Sequence, residues 1–233
     1  MRTAGGGRWK PYPAYKDSGV EWLGEIPTGW EVVSAGRVIN RIEQGWSPVA
    51  DDRSAGPDEW AVIKLSAVAR GTFRPAEHKA MQADLPPDAR YEIRDGDFLL
   101  TRANTPELVG DVCVVHKPPP RLMLCDLVYR LSLRTESVAP EFLAHWFLSP
   151  VGRRQIQIDA RGSSLSMVKV SQGLIRAWTV VVPPTAEQRA ISAFLDRETG
   201  RIDGLVGKKE RLIELLQEKR TALITRAVTK GLD

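Results

Sequence analysis

The chain has 233 residues, 42% of them hydrophobic and 27% charged. This is a globular composition, with room for one ordinary domain plus an appendage or for two small domains. A formal net charge of +4 permits contact with nucleic acid without establishing it. No apolar run approaches the ~18 residues of a membrane span, and the amino terminus lacks the apolar core of a secretory signal.

Residues 1–15, with Gly5-Gly6-Gly7, Pro11 and Pro13, read as a flexible leader. Trp22 and Trp30 sit among turn signals over 16–30 and look like packing anchors for an extended entry segment. Residues 31–39 suit a strand or a short helix. Short β-branched apolar runs follow at 60–69, 97–102, 110–117, 122–133 and 178–183, and these predict strands. Turns separate them at Ala69-Arg70-Gly71, Arg94-Asp95-Gly96 and Lys117 to Pro120. Cys113 and Cys125 lie inside such apolar runs and are expected to be buried and reduced, as in a cytoplasmic protein. His78, His116 and His145 are isolated, so no Cys/His cluster has zinc spacing.

Between Pro140 and Ile158, Phe142, Leu143, Trp146, Phe147 and Val151 recur at helical spacing. Pro140 suits a first turn and Pro150 a break. Neither an internal repeat nor a regular βαβαβ alternation is present. The expected fold is therefore α+β: a mixed-sheet domain over 16–183, followed by a long, coiled-coil-forming helix over 184–233.

That final segment is one continuous helical pattern from Thr185 to Leu232, a rod of roughly 65 Å at 1.5 Å per residue. Pro183 and Pro184 precede it, and Gly231 follows its last turn. Thr185 and Gln188 have the spacing of a reciprocal capping box. Leu195, Ile202, Leu205, Leu212, Leu216 and Leu223 form a seam at 3–4 spacing, interrupted by Lys209 and Lys219. Val206, Ile213, Leu215 and Ile224 widen it. A rod of this length needs something besides its own domain to pack on. Gly200, Gly204 and Gly207 each weaken it by ~1 kcal/mol relative to Ala, so a kink or break is expected near 197–204.

Catalytic motifs are missing. Gly5-Gly6-Gly7 has no strand before it and makes no cofactor loop, and Pro183-Pro184 lacks the amide or carboxylate of a base-methylating site. There is no phosphate-cradling loop and no nucleophile elbow. Pro57-Asp58 followed by Glu77-His78-Lys79 matches the loose spacing of metal-dependent nucleases, in which two carboxylates hold a divalent ion and a lysine steadies developing charge. Asp58 lies in a polar loop, and Glu77 and Lys79 follow Arg74-Pro75 rather than an apolar strand pattern, so a binding or scaffolding protein is the better reading, with an inactive helical adaptor as a further alternative.

Four turns carry side chains suited to DNA: Gln44, Trp46 and Ser47 around a flexible Gly45; Arg70 beside Gly71; Arg102 and Asn104; and Arg161, Ser163 and Ser164 before Lys169. Arg reads guanine and Asn or Gln reads adenine through paired hydrogen bonds, while Ser and Lys suit phosphate. Between Arg134 and Arg176, six basic residues stand against three acidic ones.

The segment Tyr12 to Val33 resembles the opening of specificity (S) subunits of type I restriction–modification systems, and Pro183 to Leu232 resembles their helical spacer. The segments 96–110 and 160–175 resemble parts of their target recognition domain. The resemblance implies a protein of phage defence that reads double-stranded DNA and has no catalysis or cofactor of its own. It implies a methylation (M) subunit that brings S-adenosylmethionine chemistry, and a motor-nuclease (R) subunit that brings ATP and magnesium chemistry. Typical members carry two recognition domains and two spacers. One of each here implies a half-size form, which either pairs through its long helix with a second, identical S half, pairs with a different half, or is a remnant.

Overall fold

The computed structural model describes residues 10–164 and 167–231, with residues 161–164 described by their backbone alone. Two compact units are present, Met1–Arg189 and Ala190–Asp233.

The first unit is α+β, as expected. Its central element is a four-stranded antiparallel sheet in the order Val112–Val114, Phe98–Thr101, Val128–Leu133, Ile39–Gln44. Phe98, Leu99, Leu100 and Thr101 are all buried, so this strand is covered on both faces. A second four-stranded sheet orders Leu122–Met123, Ala61–Ile63, His78–Met81 and Ala50–Asp51, with its first pair parallel. The apolar run 122–133 therefore splits into two strands that serve two different sheets. Their shared core contains Val62, Ile63, Leu99, Val115, Leu124 and both cysteines. Cys113 and Cys125 are free thiols, and burial pushes them up to about 12 and about 11.

Helix α1 (Pro140–Leu148) and helix α2 (Pro150–Asp159) divide at Ser149, whose hydroxyl accepts the Gly152 N–H at 3.1 Å and caps α2. Phe147 of α1 meets Trp178 edge-on at 5.6 Å, and the Trp178 indole donates to Asp159 at 3.0 Å. A short helix α3 (Gln172–Ala177) leads into the strand Thr179–Val182, which pairs with Glu31–Ser34.

Helix α4 (Thr185–Lys230) is a single 46-residue helix ending one residue before Gly231. It runs through 197–204 without the expected break. Gly200, Gly204 and Gly207 have open space where a Cβ would stand. Its start also differs from the expected capping box. The Pro184 carbonyl accepts the N–H groups of Glu187 and Gln188. The fully buried Gln188 amide turns to the core, accepting from Ala139 and donating to the carbonyls of Ser137 and Pro183.

Two further expectations change. Trp22 is not an anchor: it is half exposed, lining an open groove with Pro150, Val151 and Ile158. Trp30 does pack, edge-on against Tyr12 at 5.8 Å. Within the described part of the leader, Tyr15 opens a strand (Tyr15–Asp17) paired with Glu25–Pro27, and the Tyr12 hydroxyl donates to the Glu187 carboxylate. Residues 12–15 are thus tied to the fold. Residues 1–9 lie outside the described part.

Candidate nucleic-acid interface

The register of the central sheet decides where the four turns lie. Gln44 ends its strand opposite Tyr129, and the Gly45 N–H continues the ladder to the Val128 carbonyl at 3.2 Å. Val128 faces Thr101, and Thr101 exchanges backbone hydrogen bonds with the 110–111 segment across the next strand. The Asp111 carboxylate accepts the Arg70 N–H at 2.7 Å. Gln44, Arg102 and Arg70 therefore stand along one end of the sheet. Four strand-to-strand steps span ~19 Å.

The fourth turn joins at Arg102. Its carbonyl accepts the Val170 N–H at 3.0 Å, and Ala103 pairs with Lys169, which pairs in turn with Arg161. A three-stranded sheet of Ala103–Asn104, Met167–Lys169 and Arg161–Ser164 thus rises from that end. The side chains of Arg161, Ser163 and Ser164 lie outside the described residues, but their strand belongs to this sheet.

The first three turns are held by packing and hydrogen bonds. Arg70 and Gly71 both have positive φ (46° and 84°), as a two-residue hairpin between Val68–Ala69 and Thr72–Phe73 requires. Gly45 is tightly packed rather than flexible: a Cβ there would come within 2.2 Å of the Cys125 carbonyl oxygen. The Ser47 hydroxyl donates to the Asp126 carboxylate at 2.5 Å and accepts the Asp126 N–H at 3.1 Å, so it is engaged within the fold. The Asn104 side-chain oxygen accepts the Thr105 N–H at 2.8 Å. Its amide N–H groups make no hydrogen bond among the described residues.

Gln44, Trp46, Ser47, Arg70 and Lys169 are exposed, and Arg102 and Asn104 are half buried. The Arg102 guanidinium makes no hydrogen bond or ion pair among the described residues. The edge thus presents cationic and amide donors, the groups that read phosphates and base edges.

Several supporting residues are not apparent from sequence patterns. Asp111 is buried, which raises its carboxyl above the ordinary range despite the Arg70 and Val112 N–H groups. Burial lowers the Arg153 guanidinium, and Asp111 opposes that shift. The Arg153 Nη2 donates to the Glu107 carbonyl at 3.0 Å, and its Nη1 is buried without a hydrogen-bond partner. Arg130, 8% exposed, donates to Glu43, to Asp97 and to the carbonyls of Arg90 and Glu92. None belongs to a recognisable motif. Asp111 and Arg130 are polar residues in apolar runs, which is their only signal in the sequence, and Arg153 lies in a polar helix with no such signal.

The nuclease-like residues are not brought together. Asp58 pairs with Arg121 at 2.7 Å, Glu77 accepts from the Ser66 hydroxyl at 2.7 Å, and Lys79 pairs with Asp52 at 3.0 Å. Among the described residues, no group of three or more His, Cys, Asp or Glu side chains could hold a metal ion.

In the second unit, the seam residues Ile202, Leu205, Leu212, Leu216 and Leu223 are each about half exposed, as are Val206, Ile213, Leu215 and Ile224. Leu195, at the start of the seam, is half buried. No described helix is long and apolar enough to cross a membrane.

No protein-family model matches the chain. It is 30% identical over 188 residues to the type I restriction enzyme EcoEI specificity subunit of Escherichia coli, covering 80% of this chain and 31% of that protein. It is 21% identical to the putative type I restriction enzyme MjaX specificity subunit of Methanocaldococcus jannaschii, covering 90% and 48%. The chain thus spans less than half of the length of these curated relatives. Its fold matches the HsdS subunit from Thermoanaerobacter tengcongensis with a TM-score of 0.57 at 21% identity, over 89% of this chain and 52% of that one. A chain from a structure of type I R-M complex assembly and conformational transition gives a TM-score of 0.64 at 18% identity, over 89% and 47%. The chain is homologous to type I specificity subunits and shares their fold.

Proposed function

We propose that this homologue of type I specificity subunits is a DNA sequence-recognition subunit without a catalytic site. It directs adenine methylation and restriction that partner M and R subunits carry out. Residues 16–183 form its target recognition domain and 184–233 its helical spacer and association region. S-adenosylmethionine, ATP and magnesium belong to the partners, and the complex works in the cytoplasm. The exposed seam of α4 receives the M subunit and a second S half.

The observation that carries this reading is the gathering of four turns, rich in Arg, Lys, Asn and Gln, along one end of the central sheet. The span of ~19 Å suits several base pairs of a duplex whose major groove is about 12 Å wide. Base contacts come from Arg102 and Asn104, with Gln44 and Arg70 flanking them. Lys169 contacts phosphate.

The test is co-expression with a type I methylation subunit, followed by genome-wide mapping of methylated adenine. One defined bipartite motif is expected, and no motif rejects the function. Arg102→Ala or Asn104→Ala should relax the motif at one position each, by ~1–3 kcal/mol per lost base contact.

A further inference from the structure

Beside the four turns lies an open cleft lined by Trp46, Pro86, Pro87, Asp88, Arg90 and Tyr91. Backbone hydrogen bonds join it to the interface: Trp46 N–H to the Leu124 carbonyl at 3.1 Å, and Leu124 N–H to the Tyr91 carbonyl at 3.0 Å. The cleft therefore continues the row beyond Gln44 and Trp46.

Arg90 is held there by a two-pronged pairing with Asp88. Its Nε donates to Asp88 Oδ1 at 3.0 Å and its Nη2 to Oδ2 at 2.6 Å, so the two planar groups lie edge to edge. Asp88 also accepts the Arg90 backbone N–H at 3.0 Å. The pairing occupies one edge of the guanidinium. The end-on edge, Nη1 with the second N–H of Nη2, keeps its parallel donors, and the side chain is 82% exposed. The backbone beneath is clamped: buried Arg130 donates to the Arg90 carbonyl at 2.7 Å and to the Glu92 carbonyl at 2.9 Å. An exposed ion pair contributes little to stability. A guanidinium oriented by a carboxylate loses less entropy when its free edge binds a ligand.

We propose that Arg90, aimed by Asp88 from a cleft it shares with Trp46, reads a guanine at the flank of the DNA target. The inference rests on the DNA-reading function above. A parallel pair of N–H donors matches guanine O6 and N7 in the major groove. The carboxylate behind Arg90 neutralises its charge, which disfavours phosphate and leaves the hydrogen-bond fork as the recognising feature. Asp88 is a positioning residue, acting through Arg90.

The experiment selects bound sequences from a randomised duplex pool, using the full chain in complex with its methylation subunit. The wild-type complex should enrich one motif. Arg90→Ala and Arg90→Lys should each remove a guanine preference at one position, a loss of ~5- to 150-fold there, and leave every other position unchanged. The lysine variant keeps a charge beside Asp88 but lacks the fork. Asp88→Asn keeps an oxygen for the backbone N–H and should weaken the same position alone. An unchanged motif in the Arg90 variants overturns the inference, as does uniform weakening at all positions, which marks a phosphate contact. A wild-type complex that enriches no motif overturns the DNA-reading function itself.

Discussion

The side-chain oxygen of Gln188, in the first turn of α4, accepts the main-chain N–H of Ala139 at 2.7 Å. The same amide donates to the carbonyls of Ser137 and Pro183. One buried side chain thus satisfies the backbone where α1 begins and where the chain enters α4. Gln188→Ala removes these partners without giving the freed groups access to water, and stability should fall by ~1–3 kcal/mol. Urea unfolding checks this. The midpoint should drop with the slope unchanged, because the exposed surface on unfolding is the same.

Gly45→Ala tests how tightly the first turn is packed. The new methyl would meet the Cys125 carbonyl oxygen at 2.2 Å and the Leu124 backbone at 2.7 Å, neither of which can rotate away. Expected results are a loss of ~1–3 kcal/mol and a weakened DNA motif at the bases nearest Gln44. Thermal unfolding and methylation mapping of the variant provide the two readouts. A neutral effect on both would show that the segment moves freely.

The Tyr12–Glu187 contact predicts alkaline behaviour. The hydrogen bond to the Glu187 carboxylate, with smaller contributions from burial and the same negative charge, raises the Tyr12 hydroxyl to about 12. The folded pKa lies above the unfolded value of 10, so folding favours the protonated form. The contribution is fully present below pH 10 and disappears as pH rises through about 12. Stability measured against pH should fall in that window for the wild type and less for Tyr12→Phe. Tyr12 is 39% exposed, so the effect is screened and modest.

The exposed seam of α4 predicts association. Leu212 and Leu216 are about half exposed. Burying such side chains contributes ~1.5–3 kcal/mol each, so Leu212→Arg with Leu216→Arg should abolish concentration-dependent self-association. Sedimentation velocity follows the oligomer, and circular dichroism should show unchanged helix content. Association that survives both arginines would move the interface elsewhere.

Features that depend on neighbours a few residues apart were legible in the sequence. The long helix over 185–230, the helix break at Pro150, the turn at Arg70-Gly71 and the burial of both cysteines follow from periodicity, proline and glycine chemistry, and apolar runs. The continuity of α4 through three glycines was not, because each glycine weakens a helix locally while the surrounding turns hold it.

The sequence by itself determined which turns carry cationic and amide donors. Only the tertiary structure decided that those turns share one edge. That depends on Gln44 standing opposite Tyr129 and on Val128 facing Thr101, pairings 85 and 27 residues apart in the chain. A one-residue slip would turn every side chain to the other face of the sheet, and register is set by burial of the whole strand rather than by any local signal. The same holds for Gln188 and Gly45. A glutamine three residues after Thr185 suggests a cap and a glycine among turn residues suggests flexibility, until the chain that packs against them makes one a buried bridge and the other a close contact.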